Sequence, residues 1–286
     1  SAGVRAMTSS SSPGISHKSE GISYIAGSDL PCLIVNVQRG GPGLGGIQPS
    51  QADYWQATRA PGHGDLHVMV FAPSTIQEIV DMVFDAFESA DRYRIPAMIL
   101  ADGMLGQMME PVVFPEKKVV TFDKESWATT GHKNKRSHNI VNSLYLQATE
   151  LEQKIQERFE RYEKIKENEA RAEEYLVDDA DIVVVAYGAT SRIVRSAVNS
   201  ARAKGIKAGL IRPQTLWPYP SAVIQKAAQT AKAFLTVEMS MGQMVEDVRL
   251  AVNGKVPVAF FGRTGGVIPT PAEVLAEIEK LAGGDK

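Results

Sequence analysis

The sequence predicts an α/β protein in which two units, each built on a parallel β-sheet, are joined by a charged helical linker. Short apolar runs alternate with segments of helical periodicity, a pattern typical of parallel strands connected by helices. The 286 residues, 44% of them hydrophobic, suffice for two cores of ordinary size. Residues 116–178 interrupt the alternation with a densely charged stretch. We therefore expect the two units at residues 1–115 and 179–286.

The first unit is predicted to contain the order strand, helix, strand two times. Its predicted elements are a strand at residues 4–8, a helix at 19–26, strands at 33–37 and 68–71, a helix after Ser74 and a strand at 97–100. The helix after Ser74 has the clearest pattern, because apolar residues recur on one face at intervals of three or four from Ile76 to Phe87. Ser74 and Gln77 have the spacing of a capping box at its start.

The linker contains one periodic stretch, at residues 150–174. Leu151, Ile155, Phe159 and Tyr162 recur at intervals of three or four among many charged side chains. This spacing is typical of an amphipathic helix packed on the rest of the protein, with the charges on its solvated face. A short antiparallel pairing element is the alternative.

The second unit repeats the alternation of strands and helices. Its predicted elements are strands at residues 181–186, 207–211, 233–238 and 258–261, and helices after Gly188, at 222–230, from about 243 and from 270. The start of the last helix is well marked, because Thr270 is a capping residue, Pro271 follows it and Glu273 stands at the third position.

The composition excludes several classes of function. The formal net charge of -2 gives no indication of binding to nucleic acid or to an anionic membrane. No apolar run approaches the length needed to span a bilayer, and we expect a cytoplasmic protein without a signal peptide. The single cysteine, Cys32, excludes an internal disulfide, a four-cysteine zinc site and an all-cysteine iron–sulfur cluster within this chain. Because the chain starts without Met and inside an apparent strand, we expect a fragment that lacks an N-terminal segment.

The most informative local feature is a glycine-rich loop after the strand at 33–37. Arg39 opens this loop, and five of the next seven residues are glycine. Glycine lets the backbone approach a ligand closely, and a guanidinium can hold a carboxylate or phosphate through two hydrogen bonds. The loop therefore predicts a site for a small anion. A tight structural loop with Arg39 on the surface fits the same pattern.

Two other polar features are candidates for the site. The turn at residues 9–14 follows a strand and precedes a helix, so it can share a pocket with Arg39 at the carboxyl ends of parallel strands. A hydroxyl-rich helix cap is the alternative. His63, between two glycines, is interpreted as a loop anchor rather than a ligand-binding group. No nucleophile with an adjacent base and no metal-ligand spacing is present, so we expect no catalytic side chain and no metal site in this chain.

Six stretches carry a resemblance to a known family. They lie at residues 7–16, 20–27, 37–45, 62–65, 101–111 and 261–266. Together they resemble the alpha subunit of the 2-oxoacid:ferredoxin oxidoreductases, and the similarity extends over nearly the whole chain. The chain is most similar to the 3-methyl-2-oxobutanoate (2-ketoisovalerate) type, and the 2-oxoglutarate type is the alternative within the family.

The resemblance implies a subunit of a thiamine diphosphate enzyme that oxidatively decarboxylates a branched-chain 2-oxoacid to acyl-CoA and passes electrons to ferredoxin. Residues 1–115 would be the later part of a pyrimidine-binding domain, and residues 179–286 a transketolase C-terminal-like domain. Arg39 would bind the substrate carboxylate. The loops near substrate and cofactor would contain Ser11, Ser12, Pro13, Gly14, Gly40, Gly41 and Pro42.

The resemblance also implies partner subunits. The family's glutamate for the thiamine pyrimidine would lie upstream of Ser1, so the chain alone would be inactive and would share thiamine diphosphate with a beta, diphosphate-binding subunit. Magnesium and iron–sulfur clusters would belong to the beta and gamma subunits. A non-catalytic scaffold chain of such a complex is one alternative. Another thiamine enzyme, such as a transketolase, is a second alternative, against which the loop at residues 38–43 argues.

Overall fold

The structure, a computed structural model, describes residues 1–116 and 120–283, so residues 117–119 of the predicted linker lie outside the described residues. The elements of the first half are β1 (Met7–Ser10), α1 (Ser12–Gly27), β2 (Cys32–Gln38), α2 (Tyr54–Thr58), β3 (Met69–Phe71), α3 (Ile76–Tyr93), β4 (Pro96–Asp102), α4 (Gly103–Gln107) and α5 (Ala148–Glu169). Those of the second half are β5 (Ala172–Tyr175), β6 (Ile182–Val185), α6 (Gly188–Ala203), β7 (Ala208–Pro213), β8 (Thr215–Trp217), α7 (Ser221–Ala227), β9 (Ala233–Glu238), α8 (Met244–Val252), β10 (Val258–Gly262) and α9 (Pro271–Gly283).

The first sheet has the strand order β1-β2-β4-β3-β8. Its first four strands pair in parallel, as the alternation of strands and helices predicts. Strand β8 comes from the second half of the chain and pairs antiparallel with β3, with Val70 opposite Trp217 and Phe71 opposite Thr215. The first sheet is therefore completed by residues about 145 positions away in sequence, an element that the sequence analysis did not predict.

The second sheet has the strand order β10-β9-β6-β7-β5. Strands β10, β9, β6 and β7 are parallel, and β5 adds an antiparallel edge on which Ala172 faces Pro213. Strands β6, β7 and β9 are buried along their whole length, which explains their continuous apolar sequence. The predicted α/β class with parallel sheets is confirmed.

The two sheets share part of one apolar core. A single buried cluster contains Met69 and Phe71 of β3 together with Val185 of β6 and Phe234 of β9. Tyr54 and Tyr187 meet within this cluster, with ring centroids 5.8 Å apart. Because apolar burial is the main favourable contribution to folding, this shared core holds the two halves together.

The stretch at residues 150–174 combines both forms that were considered for it. Helix α5 packs on the first half through Tyr162 and Ile165, which are fully buried, and Arg158 donates to Asp29 Oδ1 at 3.1 Å. The helix ends at Glu169, and β5 then pairs antiparallel with β7. An amphipathic helix and an antiparallel strand therefore follow each other here.

Two predicted helix starts are wrong. Helix α1 begins at Ser12 rather than near residue 19, because Ser11 is extended and a proline, which fits the first turn of a helix, stands at position 13. The capping box of α3 is displaced by one residue. Thr75 Oγ1 accepts the amide of Glu78 at 3.1 Å, and Glu78 Oε2 accepts the amide of Ser74 at 2.7 Å.

Within the described ranges 1–116 and 120–283, we find no helix both long and apolar enough to cross a membrane.

Candidate functional site

Three loops meet at the carboxyl edge of the first sheet. Because β1, β2 and β4 are parallel, the segments that follow them lie at the same edge, where open α/β sheets bind ligands. These segments are the turn around Ser11, the glycine loop that starts at Arg39, and the short helix α4. The topology thus brings together the serine turn and the arginine loop that the sequence analysis singled out.

Arg39 is half-buried, and three hydrogen bonds orient its guanidinium. Its Nε donates to Ser11 Oγ at 3.2 Å. Its Nη1 donates to the carbonyl oxygens of Leu44 at 2.5 Å and Gly46 at 2.9 Å. Among the residues that the structure describes, Nη2 has no hydrogen-bond partner. The guanidinium is therefore held on one side by its own loop and the serine turn, and its Nη2 donors remain available.

A buried polar network lies beneath Arg39. Asp53 Oδ2 accepts from Ser12 Oγ at 2.7 Å and from Asn36 Nδ2 at 3.1 Å. Ser12 Oγ in turn accepts the backbone amide of Arg39 at 3.1 Å, and Asn36 Oδ1 accepts the amide of Ser12 at 3.2 Å. Gln38 extends the network, since its Oε1 accepts the amide of Asp53 at 3.1 Å. These bonds join the ends of β1 and β2 to the segment before α2.

The sequence analysis missed Asn36, Gln38 and Asp53. A signal for the first two exists, because Asn36 and Gln38 are polar residues at alternate positions near the end of an otherwise apolar strand. Alternate residues of a strand point to the same face, so two polar residues at that spacing share a surface. Asp53 lies in a loop and carries no comparable signal.

The glycine loop closes on itself. The amide of Gly40 donates to Gln48 O, and the amide of Gly46 donates to Gly40 O, both at 2.9 Å. Gly45 has a φ of +56°, and a Cβ there would overlap the carbonyl of Gly40. Glycine is therefore required at this position for the loop to turn back towards Arg39.

Two cavities flank the loop. One, of about 500 Å³, is lined by Ser12, Pro13, Gly41, Pro42, Gly43 and Asp53, among others. The other, of about 210 Å³, is lined by Ser11, Val37, Arg39, Ile47, Gly103 and Gly106, among others. Ser11, Ser12, Pro13, Arg39, Gly41 and Pro42 therefore all border open volume. Gly40 is buried, and Gly14 packs beside the side chain of Ser10.

His63 lies apart from these two cavities. Its backbone amide donates to Ser23 Oγ at 2.8 Å, while its side chain is exposed. It lines a third cavity, of about 340 Å³, together with Tyr24, Leu144 and Ile155. The structure thus fastens the His63 loop to α1 through the backbone and does not bring His63 next to Arg39.

Two buried carboxylates lie at the carboxyl ends of strands. Asp102, at the end of β4, accepts the amides of Met104 at 2.9 Å and Leu105 at 3.1 Å. Glu238, at the end of β9, accepts the amides of Met244 and Val245 at the start of α8. Burial raises the pKa of both carboxyl groups, and these backbone hydrogen bonds oppose the rise. Both residues serve to fix the start of a helix.

Gln51 joins the site to the second sheet. Its Nε2 donates to Tyr187 O at 3.0 Å, and its Oε1 accepts from Thr190 Oγ1 at 2.8 Å and from the amide of Met239 at 2.9 Å. Gln51 is fully buried, so each of these bonds replaces one that water would otherwise make. The segment below the Arg39 loop is therefore locked to the carboxyl ends of β6 and β9.

Within residues 1–116 and 120–283, no group of three or more His, Cys, Asp or Glu side chains is placed to hold a metal ion together. At the sheet edge, the Nη2 donors of Arg39 border the smaller cavity, where they can bind an anion.

Family models match both halves of the chain. Residues 1–178 match the thiamine diphosphate-binding domain of pyruvate flavodoxin/ferredoxin oxidoreductases. Residues 180–274 match the core domain II of pyruvate:ferredoxin oxidoreductases.

Curated relatives match over almost the full chain. The ketoisovalerate oxidoreductase subunit VorB of Methanothermobacter thermautotrophicus is 50% identical over 99% of this chain and 80% of its own length. The 2-oxoglutarate synthase subunit KorA of Methanothermobacter marburgensis is 34% identical over 96% of this chain and 80% of its own length.

Solved structures agree on the fold. The 2-oxoglutarate:ferredoxin oxidoreductase from Magnetococcus marinus, with 2-oxoglutarate, coenzyme A and succinyl-CoA bound, matches with a TM-score of 0.84 and 25% identity. That match covers 98% of this chain and 53% of the other, so this chain spans about half the length of that one. A split-gene transketolase, an inactive beta4 tetramer, matches with a TM-score of 0.55 and 15% identity over 96% of this chain and 74% of its own, and shows a similar fold only.

Proposed function

This chain belongs to the thiamine diphosphate-dependent 2-oxoacid:ferredoxin oxidoreductases, and from that membership we propose that it is the alpha subunit of the type that acts on 3-methyl-2-oxobutanoate. The reaction would be oxidative decarboxylation to acyl-CoA with transfer of electrons to ferredoxin. The higher identity to the ketoisovalerate subunit, 50% against 34% for the 2-oxoglutarate subunit, supports this choice of substrate over 2-oxoglutarate.

The observation that carries the proposal is the position of Arg39. Its guanidinium is oriented by Ser11 Oγ and two loop carbonyls, while Nη2 keeps its donors beside a cavity. The carboxylate of a 2-oxoacid needs such charge-assisted donors. Because the donors are already in place, binding would require little reorganisation of the loop. Arg39 would thus hold the carboxylate and orient the keto group of the substrate.

The residues at the sheet edge fit one side of thiamine diphosphate. A Cβ added at Gly41 or Gly43 would meet no atom within 4 Å, so these glycines, with Ser12 and Pro13, leave open volume that a ring can enter. When bound, thiamine diphosphate supplies the carbanion chemistry that decarboxylation requires. The residues of this chain would bind and orient the substrate and exclude water on their side.

We also propose which domains this chain contributes and which cofactors its partner subunits hold. Residues 1–115 would be the later part of the pyrimidine-binding domain, residues 116–178 a linker, and residues 179–286 the transketolase C-terminal-like domain. A beta subunit would hold magnesium and the diphosphate, and iron–sulfur clusters would lie on partner subunits, since the chain has one cysteine. In that assembly His63 would act as a loop anchor through its backbone bond to Ser23.

The test is the replacement of Arg39 in the assembled complex. Arg39→Ala should raise the KM for 3-methyl-2-oxobutanoate by roughly 30-fold or more, because loss of a charged pairing costs about 2–4 kcal/mol. The KM for coenzyme A should stay unchanged. Arg92→Ala is the matched control, because Arg92 lies in the last turn of α3, before β4 begins and away from the carboxyl edge. An unchanged KM for the 2-oxoacid in Arg39→Ala would remove Arg39 from the carboxylate role.

A further inference from the structure

The cavity of about 210 Å³ beside Arg39 combines a charged lining residue with uncharged ones. Arg39 is its single charged lining residue in the part of the chain that the structure describes. Val37 and Ile47 add apolar surface, Gly103 and Gly106 add backbone without side chains, and Ser11, Gln38 and Gln107 add uncharged polar groups. The cavity therefore offers one cation beside a neutral, partly apolar wall.

The apolar wall, formed by Val37 and Ile47, lies close to the guanidinium of Arg39. Ile47 directly follows Gly46, whose carbonyl accepts Arg39 Nη1 at 2.9 Å. Ile47 is 76% exposed and lines the cavity, so its apolar surface is free for a ligand. On the other side, a Cβ added to Gly106 would meet Val37 Cγ1 at 3.2 Å, so Gly106 and Val37 are in direct contact.

A 2-oxoacid whose carboxylate lies on Arg39 has its own side chain close by, since the two groups are separated by one carbonyl carbon. A short aliphatic side chain gains by leaving water for an apolar wall. A second carboxylate on the same wall would lose its hydration without meeting a cation, and buried unpaired charges are costly. The same wall can therefore favour one class of 2-oxoacid and reject another.

We propose that Val37, Ile47 and Gly106 form the subsite for the substrate's side chain and select short aliphatic 2-oxoacids against dicarboxylic ones. This inference rests on the proposed role of Arg39 and adds to it the residues that determine specificity. Each of the three acts through direct contact with the side chain of the substrate.

The first experiment introduces a cation into the subsite. In the assembled complex, Ile47→Arg should shift the ratio of kcat/KM for 2-oxoglutarate to that for 3-methyl-2-oxobutanoate by about 10-fold or more towards 2-oxoglutarate. Met109→Arg is the matched control, since it adds the same charge just after α4, at a residue that is 97% exposed and does not line the cavity. Its ratio should stay within about twofold of the unchanged enzyme.

The second experiment narrows the subsite. Gly106→Ala places a methyl group against Val37 and should lower kcat/KM for 3-methyl-2-oxobutanoate about 10-fold relative to pyruvate, whose side chain is a single methyl. Alanine favours the helical backbone of α4, so folding should be preserved. Assembly of the complex and an unchanged KM for coenzyme A would verify this.

The outcomes separate the subsite from the carboxylate role. If Arg39→Ala raises the KM but both subsite variants leave the substrate ratios within about twofold, the subsite is wrong and the role of Arg39 stands. If Arg39→Ala leaves the KM unchanged, both assignments fall. A changed ratio in Met109→Arg equal to that in Ile47→Arg would also overturn the subsite, because the effect would then come from the added charge alone.

Discussion

The hydroxyl of Ser12 donates to Asp53 Oδ2 at 2.7 Å. Ser12 Oγ also accepts the backbone amide of Arg39 at 3.1 Å. Asp53 therefore fixes the start of the glycine loop through Ser12. Asn36 gives Asp53 a second donor at 3.1 Å. The orientation of the guanidinium thus depends on a carboxylate that does not contact it.

Asp53→Ala should therefore weaken substrate binding without removing a substrate contact. Loss of the shared acceptor leaves Ser12 Oγ and Asn36 Nδ2 without their partner, at a cost of about 1–3 kcal/mol in the free energy of unfolding. We expect a higher KM for the 2-oxoacid and an unchanged KM for coenzyme A in the assembled complex. Asp65→Ala, on the exposed His63 loop, is the control. Equal KM values for the two variants would contradict the role of Asp53.

Arg212→Met should destabilise the protein strongly. Arg212 is buried and donates to both oxygens of Glu78, at 2.9 and 2.7 Å, and its Nε donates to Glu173 at 2.7 Å. Its removal leaves the partly exposed carboxylate of Glu78 without its cation, so the loss should fall below that of a fully buried pair, at about 2–3 kcal/mol. Chemical denaturation measures this loss.

Lys232→Met is the comparison for that experiment. Lys232 pairs with Asp181 at 3.2 Å, and both side chains are exposed, at 75% and 42%. An exposed pair contributes about 0–1 kcal/mol, so this variant should unfold close to the unchanged protein. Similar losses in both variants would refute the importance of the Arg212 network.

His67 should make the free energy of unfolding depend on pH. Its ring stacks on Trp217 at 4.5 Å between centroids and also contacts Tyr162. Burial lowers the pKa of His67 below its ordinary value of 6.5, and Lys166 lowers it further while Glu163 opposes the change. The folded state thus favours the neutral ring. The contribution of His67 is complete above about pH 6.5 and is lost as the pH falls towards the folded pKa.

His67→Phe keeps a stacked ring and removes the titration. Denaturation at pH 7.5 and at pH 5.5 should show a smaller loss of stability on acidification in His67→Phe than in the unchanged protein. His63→Phe, at an exposed side chain, should behave like the unchanged protein. If the loss on acidification is the same in all three proteins, His67 is not the titrating group.

The sequence predicted the parallel sheets and the meeting of the serine turn with Arg39, because both follow from the direction of the strands. It could not predict that the carbonyls of Leu44 and Gly46 hold Nη1, since that depends on the path of the loop. The pairing of strand β8 could not be predicted either, because β8 has three residues and its partner β3 lies far away in sequence. Such pairing is set by the tertiary fold rather than by local pattern.

The antiparallel contribution of β8 has a practical consequence for anyone who wishes to dissect this subunit. A polypeptide that stops before Gln214 would leave the backbone groups of Val70, Phe71 and Ala72 on the side of β8 unpaired along an apolar strand. Open strands of that kind invite association with other chains. The first half is thus not an independent domain. Produced by itself, it should aggregate unless a separate polypeptide supplies β8.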